Sequence, residues 1–260
     1  MTTRIALFGG IYNNYLALEA AISQASEIGV DAMYCLGDIG AFGPHPDRSF
    51  PLLIDNNIQC IQGNYDDSIG NELEDCQCGY TAARDNHFAQ ISYNYTLANT
   101  NDANKTFLRT LPKELELEIE DQRILMCHGS PRRTNEFLWE STTPLHFIDI
   151  FLQQRNLDLI AGTHTGIKWH AQTNQGKFLN VGVLGRPEND GANHVWFTTL
   201  DIAPSGIFHK FHPVNYDYQR LGKEMQQERI PNEFIETIHT GWWTTCLEIL
   251  PQKERAAGCY

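Results

Sequence analysis

Long apolar runs are missing from this 260-residue chain. A membrane-spanning helix needs roughly 18 or more consecutive apolar residues, and no such stretch occurs. The first apolar run, directly after Met1-Thr2-Thr3-Arg4, is too short for the core of a signal peptide, so the expectation is a cytoplasmic protein. Basic residues are also scarce. Lys and Arg number 19 against 32 Asp and Glu, a net charge of −13. That sign argues against nucleic acid and against an anionic membrane as partners. It leaves room for a small phosphorylated substrate held through local positive charge or a metal. Neither an internal repeat nor a low-complexity linker is seen. The seven cysteines are odd in number and irregular in spacing, which fits reduced thiols better than a disulfide framework. Cys35, Cys60 and Cys127 lie in apolar strand-like runs and read as core residues. Cys76-Gln77-Cys78 has the spacing of a metal or redox pair, but no second pair accompanies it.

What the chain does contain is an alternation of short strands and helices. Residues 5–8 form a strand candidate, and Gly9-Gly10 marks a turn. Asn13 or Asn14 caps a helix with an apolar face that Gly29 ends. Strands are expected at 31–36 and 58–62, with a helix at 47–55 between them. This β-α-β-α-β order implies parallel pairing, because parallel neighbours need crossover connections. Residues 67–82 read as an acidic loop, and 85–98 and 104–111 as helices. Leu115, Leu117 and Ile119 alternate with glutamates as in a half-exposed strand, and 123–127 returns to the core. After a helix at 144–155 come short strands at 158–162, 168–172, 177–183, 194–200 and 208–214, read as a second, more antiparallel sheet. Two sheets face to face, flanked by helices, is the simplest packing. Residues 216–228 and 231–240 read as helical, so the chain is divided into a main domain at 1–214 and a C-terminal helical extension at 215–260 packed on it.

Four segments end β-prone runs with metal-ligand residue types. They are Gly37-Asp38, Gly63-Asn64-Tyr65-Asp66, Cys127-His128-Gly129-Ser130 and Gly162-Thr163-His164-Thr165-Gly166. Ligands of such sheets sit outside the carboxyl ends of the strands. A carboxylate, an amide oxygen and two imidazoles aimed at one edge can surround a single divalent metal and leave open positions on it, as in a catalytic site.

In these motifs the chain resembles the calcineurin-like metallophosphoesterase superfamily, in its compact bacterial branch. That branch carries D-x-H, G-D, G-N-H-D, H-G and G-H-x-H in this order. The resemblance runs from about Arg4 to Pro187 and includes Phe42-Gly43-Pro44, His128-Gly129-Ser130-Pro131-Arg132 and Asn180-Val181-Gly182-Val183-Leu184-Gly185-Arg186-Pro187. It implies an α/β fold, a four-layer α/β/β/α sandwich of two mixed sheets. It also implies a metal-dependent phosphoric ester hydrolase.

The departures are specific. The family's first Asp and His fall on Gly10 and Tyr12, and the second His of the last motif falls on Gly166. Those are the private ligands of one of the family's two metals. The other metal's ligands are all present: Asp38, Asn64, His128 and His164. The resemblance therefore implies one divalent ion per chain, Mn, Fe or Zn. The family's histidine after the Asn is Tyr65 here. Catalytic candidates are Asp38, whose second oxygen could orient the attacking water, and Tyr65 and Tyr12, as acids, hydrogen-bond donors or fillers of the vacated space. Tyr12 as a metal ligand also stays open, since a tyrosinate binds ferric iron in the related purple acid phosphatases. Arg132, Arg133 and Arg186 are candidates for phosphate binding by bidentate contacts, with surface ion pairs as the alternative. Asn135, Trp139 and Glu140 are candidates for the pocket wall, and His170 for a place near the metal. Trp242-Trp243 reads as an anchor for the C-terminal tail. The expected function is hydrolysis of a small phosphorylated metabolite. The alternative is a weak or inactive relative that binds a metabolite as a regulatory module.

Overall fold

The computed structural model describes residues 2–256. β1 (Thr3–Phe8), β2 (Ala32–Cys35) and β3 (Gln59–Cys60) pair in parallel, as the β-α-β-α-β order requires, with Ile5 opposite Ala32 and Cys35 opposite Cys60. The crossovers are α1 (Tyr15–Ile28) and α2 (Ser49–Asp55), the latter preceded by a single 3₁₀ turn at Pro46–Arg48. Asn14 caps α1 by accepting from the Ala17 N–H at 3.1 Å, and Gly29 ends it in the left-handed conformation.

The second sheet begins with an antiparallel pair, β4 (Glu114–Ile119) and β5 (Gln122–Cys127). β6 (Leu159–Gly162) and β8 (Lys177–Asn180) extend it in parallel, and β7 (Trp169–Gln172) closes its edge antiparallel to β8. The last two strands depart from expectation. β9 (Val195–Ala203) and β10 (Gly206–Val214) join the first sheet, in the order β10-β9-β1-β2-β3. β9 lies antiparallel on the free edge of β1, and there Arg4 sits opposite Asp201, its Nε 2.5 Å from the carboxylate. Alternation in the sequence shows which face of such a strand is apolar but not which edge it joins.

The two-residue side-chain period sorts the core into layers. Ile5 and Leu7 of β1 meet Ile124 and Met126 of β5 between the sheets. Ala6 and Phe8 point the other way, onto Leu18 and Ala21 of α1. On the far side, Leu125 and Cys127 pack on Ile148 and Leu152 of α6 (Leu145–Arg155). The result is the expected four-layer α/β/β/α sandwich. Each fully buried Leu, Ile or Phe in it contributes about 1.5–3 kcal/mol.

The acidic stretch expected as a loop instead opens with a helix, α3 (Asn64–Asn71). Its eight residues have weak helical signals, and it is held by tertiary contacts. Tyr93 of α4 (Ala83–Asn99) donates to the Ser68 carbonyl at 3.1 Å, and Arg109 of α5 (Asp102–Thr110) donates to that of Gly70. The expectation of no disulfide is also corrected, because Cys76 and Cys78 are bonded across a Cα separation of 5.3 Å. The spacing was visible in the sequence, but the tight turn that brings the two sulfurs together was not.

After β10 come α7 (Tyr218–Gln227) and α8 (Asn232–Thr240), then a short α9 (Gln252–Ala256). Leu221, Met225, Phe234 and Ile238 bury against Tyr15, Leu16 and Phe88, while Trp243 and Leu250 pack with Trp139. Among the described residues, no helix is long and apolar enough to cross a membrane.

Candidate metal centre

Asp38 follows β2, Asn64 follows β3, His128 follows β5 and His164 follows β6, so each stands just past the carboxyl end of a parallel strand. The structure brings them together. His128 Nε2 is 3.2 Å from Asp38 Oδ2, and His164 Nδ1 is 3.2 Å from His128 Nε2. One ligand atom from each of Asp38, His128 and His164 lies within 4.8 Å of the others, and all three residues are buried.

Each ligand is aimed by a second contact. The Leu36 carbonyl, 2.6 Å from His128 Nδ1, can only accept, so Nδ1 carries the proton and Nε2 presents its lone pair to the cluster. Asn64 Nδ2 donates to the Cys76 carbonyl at 2.8 Å and to Cys78 Sγ at 3.5 Å. These donations fix the amide's orientation and leave Oδ1 buried without a partner. The Tyr65 N–H donates to Asp38 Oδ1 at 3.0 Å. A Cβ on Gly63 would lie 2.3 Å from that same oxygen, so only glycine admits the approach. The Asp66 carboxylate accepts from the N–H groups of Asp38 (2.7 Å), Ile39 (3.0 Å) and Gly63 (2.8 Å), tying two ligand loops together. Asn180 donates to the Thr163 carbonyl at 2.6 Å and to the Thr165 hydroxyl at 2.8 Å, and the Thr163 hydroxyl donates to the Gly182 carbonyl at 2.7 Å. These contacts hold the turn that carries His164. Asp38 and His164 both have positive φ, 56° and 48°, a conformation that costs energy for residues with a Cβ and persists where surroundings enforce it.

The electrostatics agree with a cation site. Burial opposes ionisation of Asp38, yet the adjoining His128 holds its carboxyl below the usual range. Burial likewise opposes a charge on His128, and Asp38 outweighs it and raises the imidazole, so without an ion the carboxylate favours a proton on Nε2 that a bound cation would displace. Burial, then the neighbouring His128, pushes His164 down to about 3, so its ring is neutral and free to ligate. Two hard oxygen donors and two imidazoles, with an amide oxygen left unsatisfied, fit a borderline divalent ion such as Mn, Fe or Zn.

The other expected residues are distributed differently. Tyr12 is buried, with φ of 53°, and packs edge-to-face on Phe42 at 5.3 Å between centroids. Its ring covers Gly10. Burial, then the charge of Asp38, raises its hydroxyl, and Arg186 opposes the rise. The Tyr65 hydroxyl is turned into α4, 3.0 Å from the Ser92 hydroxyl and 3.3 Å from the Ala89 carbonyl, rather than onto the ligand cluster. Arg132 is exposed, bound to Glu136 and stacked 4.6 Å over Phe147, and Arg133 is exposed on the same turn. Asn135 donates to the Gln77 carbonyl at 2.8 Å and lines a cavity of about 430 Å³ with Cys76, Cys78, Tyr80 and Gln90. Trp139 is core, and Glu140 pairs with Lys253 on the surface. His170 meets the ring of His209 at 4.5 Å in a tilted contact, on β7 and β10 at the sheet edges, and is not in the cluster. Phe137, which the sequence did not single out, stacks on Trp139 at 5.6 Å between centroids and meets the His164 ring tilted at 4.3 Å. Arg186 is buried between Phe42 and Trp243.

Known proteins share this fold. Over 253 residues the chain is 25% identical to an uncharacterized protein of Methanocaldococcus jannaschii, covering 91% of this chain and 98% of that protein. A crystal structure of a hypothetical protein from Pyrococcus horikoshii superposes with a TM-score of 0.75 at 20% identity, covering 93% of this chain and 100% of that one. A metallophosphoesterase from Sphaerobacter thermophilus superposes with a TM-score of 0.71 at 21% identity, with the same coverage of 93% and 100%. The model of the calcineurin-like phosphoesterase superfamily domain matches residues 4–203, a span that includes every residue of the cluster, and the chain belongs to that superfamily.

Proposed function

We propose that this chain is a metal-dependent phosphoesterase, a phosphatase of a small phosphorylated metabolite in the cytoplasm, working with one metal ion per chain. The observation that carries this reading is the buried cluster of Asp38, His128 and His164 together with the unpartnered Asn64 Oδ1. These four residues would hold the ion. When bound, it would polarise a phosphoryl oxygen and lower the pKa of a water. The chain's own residues do the rest. The Leu36 carbonyl keeps the His128 proton on Nδ1, and the Tyr65 N–H holds one Asp38 oxygen in place. The cavity of about 430 Å³, within the roughly 300–1,000 Å³ of small-molecule sites, adjoins the cluster through Cys76 and Cys78, which accept from the Asn64 amide, although none of the four residues lines it. The net charge of −13 supports a small substrate over nucleic acid.

A second reading, a regulatory module that binds a metabolite without turnover, is favoured by the Tyr65 hydroxyl. It stands in the leaving-group histidine's place but is committed to Ser92. Elemental analysis of protein purified without chelator, followed by turnover of a panel of phosphomonoesters and phosphodiesters with Mn, Fe or Zn, separates the two. Turnover with one ion per chain is expected. No turnover with any metal, alongside tight metabolite binding, would leave the regulatory reading.

A further inference from the structure

Buried charges are as a rule paired, and a buried cation without a counter-charge is costly. Arg186 is such a group. It is 7% exposed, its Nε is buried without a hydrogen-bond partner, and among the described residues no ion pair involves it. Its guanidinium is walled in instead, 3.5 Å from the Trp243 ring and 4.9 Å from that of Phe42. Trp243 is itself fixed, its Nε1–H donating to the Pro187 carbonyl at 2.7 Å and its N–H to Asn189 Oδ1 at 2.8 Å.

The place of this group is as telling as its isolation. The residues that stand where relatives carry a further metal's private ligands are Gly10, Tyr12 and Gly166. A Cβ built on Gly166, which has φ of 78°, would lie 3.7 Å from Arg186 Nη2 and 3.4 Å from the Trp243 ring. A Cβ on Gly10 would lie 2.4 Å from the Tyr12 ring, and one on Gly185 would meet that ring at 2.2 Å. Tyr12, Trp243 and Arg186 thus fill the half of the site from which the ligands are missing.

We infer that the Arg186 guanidinium takes over the charge role of that absent ion: it anchors the phosphoryl group of a substrate that spans from Arg186 to the metal held by Asp38, Asn64, His128 and His164. The inference rests on the phosphoesterase reading and deepens it. A planar guanidinium matches two phosphate oxygens at once and stays charged at all working pH values. It supplies charge without supplying a bound water, so it replaces one function of a second ion and not the other. Phe42 and Trp243 hold it in orientation.

The test uses zinc-loaded full-length protein and inorganic phosphate, followed by calorimetry. The unmodified protein should bind phosphate with one zinc per chain. Arg186→Met keeps bulk against Trp243 but removes the charge, and should weaken phosphate about 10- to 100-fold with zinc stoichiometry unchanged. Arg186→Lys should recover part of the loss, which a purely packing role would not require. Equal phosphate affinity in Arg186→Met and the unmodified protein would overturn the inference and leave the phosphoesterase reading standing. No phosphate binding to the zinc-loaded unmodified protein would overturn both. Should the variants fail to fold, nitrogen-15 resonances of the Arg186 guanidinium in the unmodified protein decide: a shift on adding phosphate supports the contact, and its absence overturns it.

Discussion

The carboxylate of Asp66 holds the main chain of Asp38, accepting from its N–H at 2.7 Å. The same side chain takes the N–H groups of Ile39 and Gly63, so three donors converge on two oxygens. Burial, then the nearby charge of Asp38, pushes the Asp66 carboxyl up to about 6. Asp66→Asn would aim an amide N–H at backbone donors, and a buried donor left unpaired costs about 1–3 kcal/mol. The variant is expected to lose thermal stability and metal affinity together. Wild-type metal affinity in Asp66→Asn would refute this positioning role.

Removing an imidazole should be decisive for the ion. His128→Ala and His164→Ala are each expected to abolish metal binding, because among the described residues the only His, Cys or carboxylate side chains that converge there are Asp38, His128 and His164. Tyr12→Phe should leave one metal per chain. Inductively coupled plasma analysis of the purified variants provides the count. Two metals per chain in the unmodified protein would sink the mononuclear assignment, and loss of metal in Tyr12→Phe would make the tyrosine a ligand.

The Cys76–Cys78 bond shapes the loop whose main-chain carbonyl holds the Asn64 amide. Without the bond, Asn64 should keep its place only part of the time. The double variant Cys76→Ser, Cys78→Ser is expected to bind metal more weakly while retaining one ion per chain, through Asp38, His128 and His164. Metal titrations of both proteins without reductant make the comparison, and identical affinities would show that the bond plays no part in aiming Asn64.

Asp85, on α4, gives a pH signature. Burial, then its hydrogen bond and charge contact with Glu248, pushes its carboxyl up to about 7. Folding therefore raises its affinity for a proton. Its contribution to stability is complete below the unfolded value near ~4 and is lost as pH rises through about 7. Asp85→Asn keeps an acceptor for the Ile249 N–H, which Asp85 now binds at 3.0 Å, and cannot ionise. Melting temperatures at about pH 5 and about pH 8 should differ less in the variant than in the unmodified protein. An equal difference in both would clear Asp85 of this role.

The candidate ligands were legible because each is a metal-binding residue type placed where a strand pattern stops. Strand alternation also fixed which residues meet between the sheets, as Ile5 and Leu7 show. Contacts distant in sequence were not legible. Asn180 secures the His164 turn across 17 residues, and an Asn before Val-Gly reads as turn chemistry. Asp66 sits where helix-capping carboxylates commonly sit, so its grip on Asp38 looked like an ordinary helix start. Nothing in the Trp242-Trp243 pair indicates that the second ring would lie on Arg186. The attachment of β9 to β1 depended on an open edge that only the assembled sheet reveals.

Asp38 and Asn64 belong to the sheet of β1, β2 and β3, whereas His128 and His164 belong to the sheet of β5 and β6. An ion bound by all four is a rivet through the seam of the sandwich. Its affinity then gauges how well the two sheets are registered on one another, through apolar contacts such as those of Leu7 and Met126. A cavity made deep in that seam, for instance by Leu7→Ala, would loosen the rivet without touching it, and saturating the ion would in turn slow amide exchange along the strand ends on both sides.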